Sequence, residues 1–166
     1  ASYGLIGSGM ALMGVFVPRF ARILADTYSP VQNFVFVGVS VLLGLMGLTM
    51  ALPYWGIVPT ILLYASIQMT GYFVSRYLNE TAPSEQRATV LSFRGLSTNF
   101  IYAAVALLYA GLIVSIRADH LQVVEGAGAA VEDAVFVESL GWFPGFFLVL
   151  SLCVFLSHRF RFGREY

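Results

Sequence analysis

The chain has 166 residues, of which 58% are hydrophobic and 11% charged, and its formal net charge at pH 7 is zero. A soluble domain carries about twice that charged fraction, and a chain this small cannot hide so much apolar surface from water. With a mean hydropathy of +0.80, the composition points to a lipid bilayer as the surrounding solvent and offers no basic face for nucleic acid.

A membrane-spanning helix needs about 20 mostly apolar residues, and five stretches reach that length. None shows the sustained period-two alternation of a barrel strand. The expected fold is therefore all-α, a polytopic transmembrane helix bundle forming one domain over 1–166. The first span, 2–24, carries two small-xxx-small pairs, Gly4 with Ser8 and Gly7 with Ala11, which suit close helix packing. Pro18 is expected to kink or end this helix before Arg19. A short polar link, 25–30, leads to the second span, 31–52. That span reads as a lipid-facing support helix without a strong polar group, with Ser40 and Gly44 as its packing pair. Pro53 and Tyr54 make a tight turn into the third span, 55–78. A charged loop, 79–87, follows, then a fourth span over 88–116. The longest polar connection, 117–138, contains the acidic segment EGAGAAVED and leads to the fifth span, 139–160. Tyr54, Trp55 and Trp142 sit where interfacial aromatic residues are found, and Pro59 and Pro144 lie one turn into their helices, where they cost little.

The arginines set an orientation. Arg19, Arg22, Arg76, Arg87, Arg94, Arg159, Arg161 and Arg164 fall on one side of the alternating spans, against Arg117 alone on the other. By the positive-inside rule the 79–87 loop and the C-terminus are cytoplasmic, and 117–138 is extracytoplasmic. The stretch NETAPSEQRATVLSFRGL gathers charge at the cytoplasmic hinge. Ser84 is the expected N-cap of the fourth helix, with Glu85 in its first turn. From Ser84 to Ile116 that helix would be about 50 Å long, longer than a hydrocarbon core of about 30 Å.

The segment PSEQRATVLSFRGLSTNFIYAAVALLYAGL resembles the connection between the tenth and eleventh helices of major facilitator superfamily transporters. The order of elements is similar as well. A helix ending in PRFARILAD, a short loop, a two-helix hairpin, the charged link and a last hairpin match helices eight to twelve of that family. PRFARILAD lacks the family's Gly-x-x-x-Asp-Arg form. The resemblance implies the C-terminal half of a secondary transporter working by alternating access at a midplane site. Its partners would be the bilayer, a small-molecule substrate and the missing N-terminal helices of the same transporter. The chain begins with Ala inside an apolar run, so an upstream part is expected. The membrane would be a cell or inner membrane, crossed several times.

Polar groups inside spans are the best pointer to a site. Tyr64, Gln68 and Tyr72 follow an i, i+4, i+8 spacing in the third span. Thr98, Asn99, Tyr102 and Tyr109 form a stripe in the fourth. The substrate-contact candidates are Tyr64, Gln68, Tyr72, Asn99 and Tyr102, expected to face one cavity. The same amides and phenols also serve as hydrogen-bonding glue between helices, at about 0.6 kcal/mol and at most about 2. Arg76, Glu85, Arg87 and Arg94 are candidates for a cytoplasmic gate formed by ion pairs between halves, or else simply anchor helix ends. No acid lies inside any span; His120 falls in the outer loop and His158 at the inner boundary, and each is expected to be solvated. Cys153 is alone, so no intramolecular disulfide forms. No phosphate loop, zinc motif or Ser-His-Asp order appears, so neither a metal, a cofactor nor an enzymatic activity is expected. The alternative to a transporter is a non-transporting membrane scaffold or assembly protein.

Overall fold

The computed structural model describes residues 2–52, 55–123 and 128–162. They form five α-helices and, among the described residues, no strand: α1 (Ser2–Thr27), α2 (Pro30–Thr49), α3 (Ile57–Thr81), α4 (Arg87–Val123) and α5 (Gly128–Phe162). Each is long and apolar enough to cross a membrane, and the fold is an all-α, multi-pass bundle. Tyr54, residues 125–127 of the acidic segment and Arg164 lie outside the described residues, as do the surroundings of Gly4 and the side chains of His158 and Arg161.

Local chemistry sets the helix ends. The Ser29 Oγ accepts from the Gln32 N–H (3.4 Å), and Gln32 Oε1 accepts from the Ser29 N–H (3.0 Å). This capping box, with Pro30 at the first helical position, starts α2 and satisfies the Ser29 and Gln32 N–H groups. At the other end of α2, Ala51 takes a left-handed φ of 45°, the backbone geometry that commonly stops a helix. Of the two outcomes expected at Pro18, an ending is excluded, because α1 continues to Thr27 with Pro18 inside it.

Both charged connections are shorter than the sequence suggests. The link expected over 79–87 narrows to 82–86, because α3 runs to Thr81. Gln86 N–H donates to the Pro83 carbonyl (3.0 Å), and the Gln86 carbonyl accepts from Val90 N–H (3.0 Å). Pro83 thus opens a turn, and Gln86 rather than Ser84 precedes the first turn of α4. The segment expected as a 117–138 loop is helical over 117–123 and 128–138. At 37 and 35 residues, α4 and α5 are about 55 and 52 Å long. Their far ends form a hairpin with its own core, in which Ile116, Val131 and Val135 are buried against Leu112 and Ile113. Arg117 pairs with Glu132 (2.7 Å), and His120 Nε2 meets Glu138 (2.8 Å). His120 is thus a paired, half-buried side chain rather than a solvated one.

Successive helices are antiparallel. α3 packs against α1, α2 and α4, while α5 packs against α4 and α2. The main core lies between α1, α2 and α3, where Val17, Ala21, Val37, Met69 and Phe73 are buried. Phe34, Phe73 and Tyr77 add ring contacts at 6.0–6.3 Å, each worth about 0.5–1.5 kcal/mol beyond area burial. Gly44 is buried as its packing role requires. A Cβ there would lie 2.7 Å from the Leu63 side chain, and one at Gly47 would lie 2.8 Å from the Pro59 ring. The close approach of α2 to α3 therefore uses Gly44 with Gly47. Ser40 instead bonds back to the Phe36 carbonyl.

Among the described residues no part of α1 approaches α4. Both lie beside α3 and leave a cleft between them, floored by α3.

Candidate functional site

The floor of that cleft is polar. At about 100° per residue, Tyr64, Gln68, Gly71 and Ser75 fall within about 60° of one another on α3. Gln68 Nε2 donates to Tyr64 Oη at 3.2 Å. A Cβ built on Gly14 of α1 would sit 3.9 Å from that same nitrogen. Gln68 is therefore half-buried against the small face of α1, and among the described residues no hydrogen bond is made to its Oε1 or by the Tyr64 hydroxyl. On the opposite wall, Arg94 of α4 donates through Nη1 to Ser75 Oγ (2.6 Å) and through Nη2 to the Gly71 carbonyl (3.4 Å). The stripe thus runs from a neutral amide–phenol pair to a guanidinium.

The predicted residues divide. Tyr64 and Gln68 come together. Tyr72 turns toward the α1–α2–α3 core and meets the Phe73 ring edge-on (centroids 6.1 Å). Asn99 and Tyr102 lie exposed on α4, and no hydrogen bond joins them to the α3 stripe among the described residues. The cause is angular: Asn99 sits about 140° around the helix from Arg94. Tyr109 serves the α4–α5 contact, with its hydroxyl 3.4 Å from Ser139 and its ring against Phe143.

The four gate candidates differ as well. Arg76 bonds to Asp26 at the end of α1 (2.7 Å) and to Glu80 one turn on (2.8 Å). Arg87 donates to the Asn79 carbonyl (3.1 Å). Arg94 clasps α3 as described. Glu85 is exposed in the turn. Three of the four thus tie elements of this chain to each other. Exposed pairs of this kind contribute about 0–1 kcal/mol each.

One residue outside the expected set joins this end of the bundle. Asn33 is 1% exposed. Its Nδ2 donates to the Leu24 carbonyl (3.3 Å), the Tyr28 carbonyl (3.3 Å) and Tyr77 Oη (2.8 Å). It therefore joins α1, α2 and α3, and α2 is not the featureless support helix expected. The signal was present in SPVQN: an Asn directly after a capping box faces the neighbouring helix end whose carbonyls need donors.

Two hollows lie away from the cleft floor. One of about 270 Å³ is lined by Leu24, Tyr28, Gln32, Asn33 and Phe36, and one of about 420 Å³ lies against Leu96, Ser97, Phe100 and Ile101 of α4. Among the described residues no group of His, Cys, Asp and Glu side chains has the arrangement of a metal site. Comparison of the chain with protein-family models, with curated proteins and with solved structures finds no match.

Proposed function

We propose that this chain is part of a secondary active transporter of the major facilitator type, which moves a small solute by alternating access. Its arginine-rich end and its C-terminus face the cytoplasm of a cell or inner membrane. The reading rests on the cleft between α1 and α4. Its floor holds a half-buried amide and phenol near the middle of α3, while the ionisable pairs stand toward the helix ends. Polar groups kept at membrane depth mark a solute path by default, and a cleft between packed helices is where such a path is built. The resemblance of residues 83–112 to the link between helices ten and eleven adds the family.

The scaffold reading draws on a different observation. Asn99 and Tyr102 do not reach the cleft, and among the described residues the one hydrogen bond of the Gln68 side chain stays within its own helix, leaving the cleft without a demonstrated ring of polar contacts. A single comparison separates the two. Cells expressing the full-length protein are compared with empty cells for solutes whose inside-to-outside ratio changes. The transporter reading expects at least one such solute, and expects Gln68→Ala to abolish most of its shift at equal membrane abundance. A solute shift untouched by Gln68→Ala would remove Gln68 from the solute path, and no shift at all favours the scaffold.

A further inference from the structure

The charge at one end of the stripe is unbalanced. Arg22 and Arg76 share Asp26, Arg76 also has Glu80, and Arg117 has Glu132. Arg94 is half-buried, seven residues into α4, and among the described residues no carboxylate lies within ion-pair distance of it. Its partners, a serine hydroxyl and a backbone carbonyl, neutralise nothing. A partly desolvated cation without a counter-charge is costly, and its remaining N–H groups point to an anionic partner. The Ser75 hydroxyl accepts from Arg94, so its own hydrogen remains available as a second donor. Between Gly95 and Ile116, between Ile57 and Ser75, and between Gly7 and Pro18 the sequence has no Asp, Glu or Lys and no further Arg. Within those ranges no side chain can take the counter-ion's place, and Asp26 and Glu80, which lie outside them, are already paired with Arg76.

We propose that Arg94 and Ser75 form the anion subsite of the cleft, and that the solute is a small organic anion. Its carboxylate or phosphate meets Arg94, and its uncharged part meets Gln68 Oε1 and the Tyr64 hydroxyl. Along α3 the rise from Gln68 to Ser75 is about 10 Å, which sets the length of solute that can touch both. This assignment rests on the transport reading and narrows it to a charge class.

The test uses the full-length protein with every native cysteine, Cys153 among them, replaced by Ser and one reporter cysteine added, either Gly14→Cys on the α1 wall or Thr98→Cys one turn beyond Arg94. The probes are an anionic and a cationic methanethiosulfonate reagent, each normalised to its rate with free 2-mercaptoethanol, in phosphatidylcholine vesicles. The anionic reagent should react at least tenfold faster than the cationic one. Arg94→Gln should erase that preference, and Arg94→Lys should keep most of it. Equal rates, or a preference unchanged by Arg94→Gln, would overturn the anion subsite while leaving a water-filled cleft intact. No reaction of either reagent at either reporter would remove the cleft and the transport reading with it. A preference lost on adding phosphatidylglycerol would assign the subsite to a lipid headgroup and overturn the solute.

Discussion

Replacing Asn33 with Ala removes a side chain that joins three helices at the arginine-rich end. Its two amide hydrogens serve Tyr77 Oη at 2.8 Å and, in a shared bond, the Leu24 and Tyr28 carbonyls at 3.3 Å. Two such bonds contribute roughly 1–3 kcal/mol together. Leu24 retains the Tyr28 N–H as a donor at 2.8 Å, so the Tyr28 carbonyl and the Tyr77 hydroxyl carry the loss. An opposing effect comes from Asn33 Oδ1, which is buried without a partner and whose removal is favourable. The net expectation for Asn33→Ala is a destabilisation of about 1–2 kcal/mol, read as a fall in the apparent melting temperature. Tyr77→Phe loses one bond and should cost less. Asn33→Asp places an acceptor against two carbonyls and should cost more. Thermal unfolding of the purified full-length protein in detergent, followed by intrinsic fluorescence, ranks the three. A neutral or stabilising Asn33→Ala would mean that the orphaned oxygen outweighs the bonds, and the three-helix clamp would lose its energetic basis.

The α2–α3 contact makes a second prediction. Gly47→Ala drives a methyl into the rigid Pro59 ring and should destabilise by about 1–3 kcal/mol. Gly44→Ala meets Leu63 Cγ at 2.7 Å and the Pro59 carbonyl at 3.3 Å, and should cost at least as much in the same melting assay. At the end of α2, Ala51→Gly relieves a left-handed φ of 45°. It should raise stability by about 0.5–1 kcal/mol, the strain relief less the added freedom of the unfolded chain; a lower melting point would contradict that geometry.

The five spans and the sorting of arginine to one end were legible because apolar length and charge bias are additive properties of the sequence. The hairpin ends were not. Residues 128–138 look like an acidic loop, yet as helix they place Val131 and Val135, one turn apart, against Ile116 and pair Glu132 and Glu138 with Arg117 and His120. Reading polarity by residue type placed Tyr64 and Gln68 together, since they are one turn apart on one helix. The same approach grouped Asn99 with them, although its angle on α4 turns it away from Arg94 and the α3 stripe. Arg94 was noticed as a charge but not as the far end of that stripe, because its partners Gly71 and Ser75 lie on another helix and carry no signal of their own.

The most direct test of the account is the side of the membrane on which each helix end lies. Single cysteines at Ser84, in the short charged turn, and at Asp119, at the far end of α4, are introduced into the Cys153→Ser full-length protein. Intact cells are then treated with a membrane-impermeant maleimide. The account predicts labelling at Asp119→Cys in intact cells and at Ser84→Cys only after permeabilisation. Labelling of Ser84→Cys from outside, or of both positions alike, would contradict it.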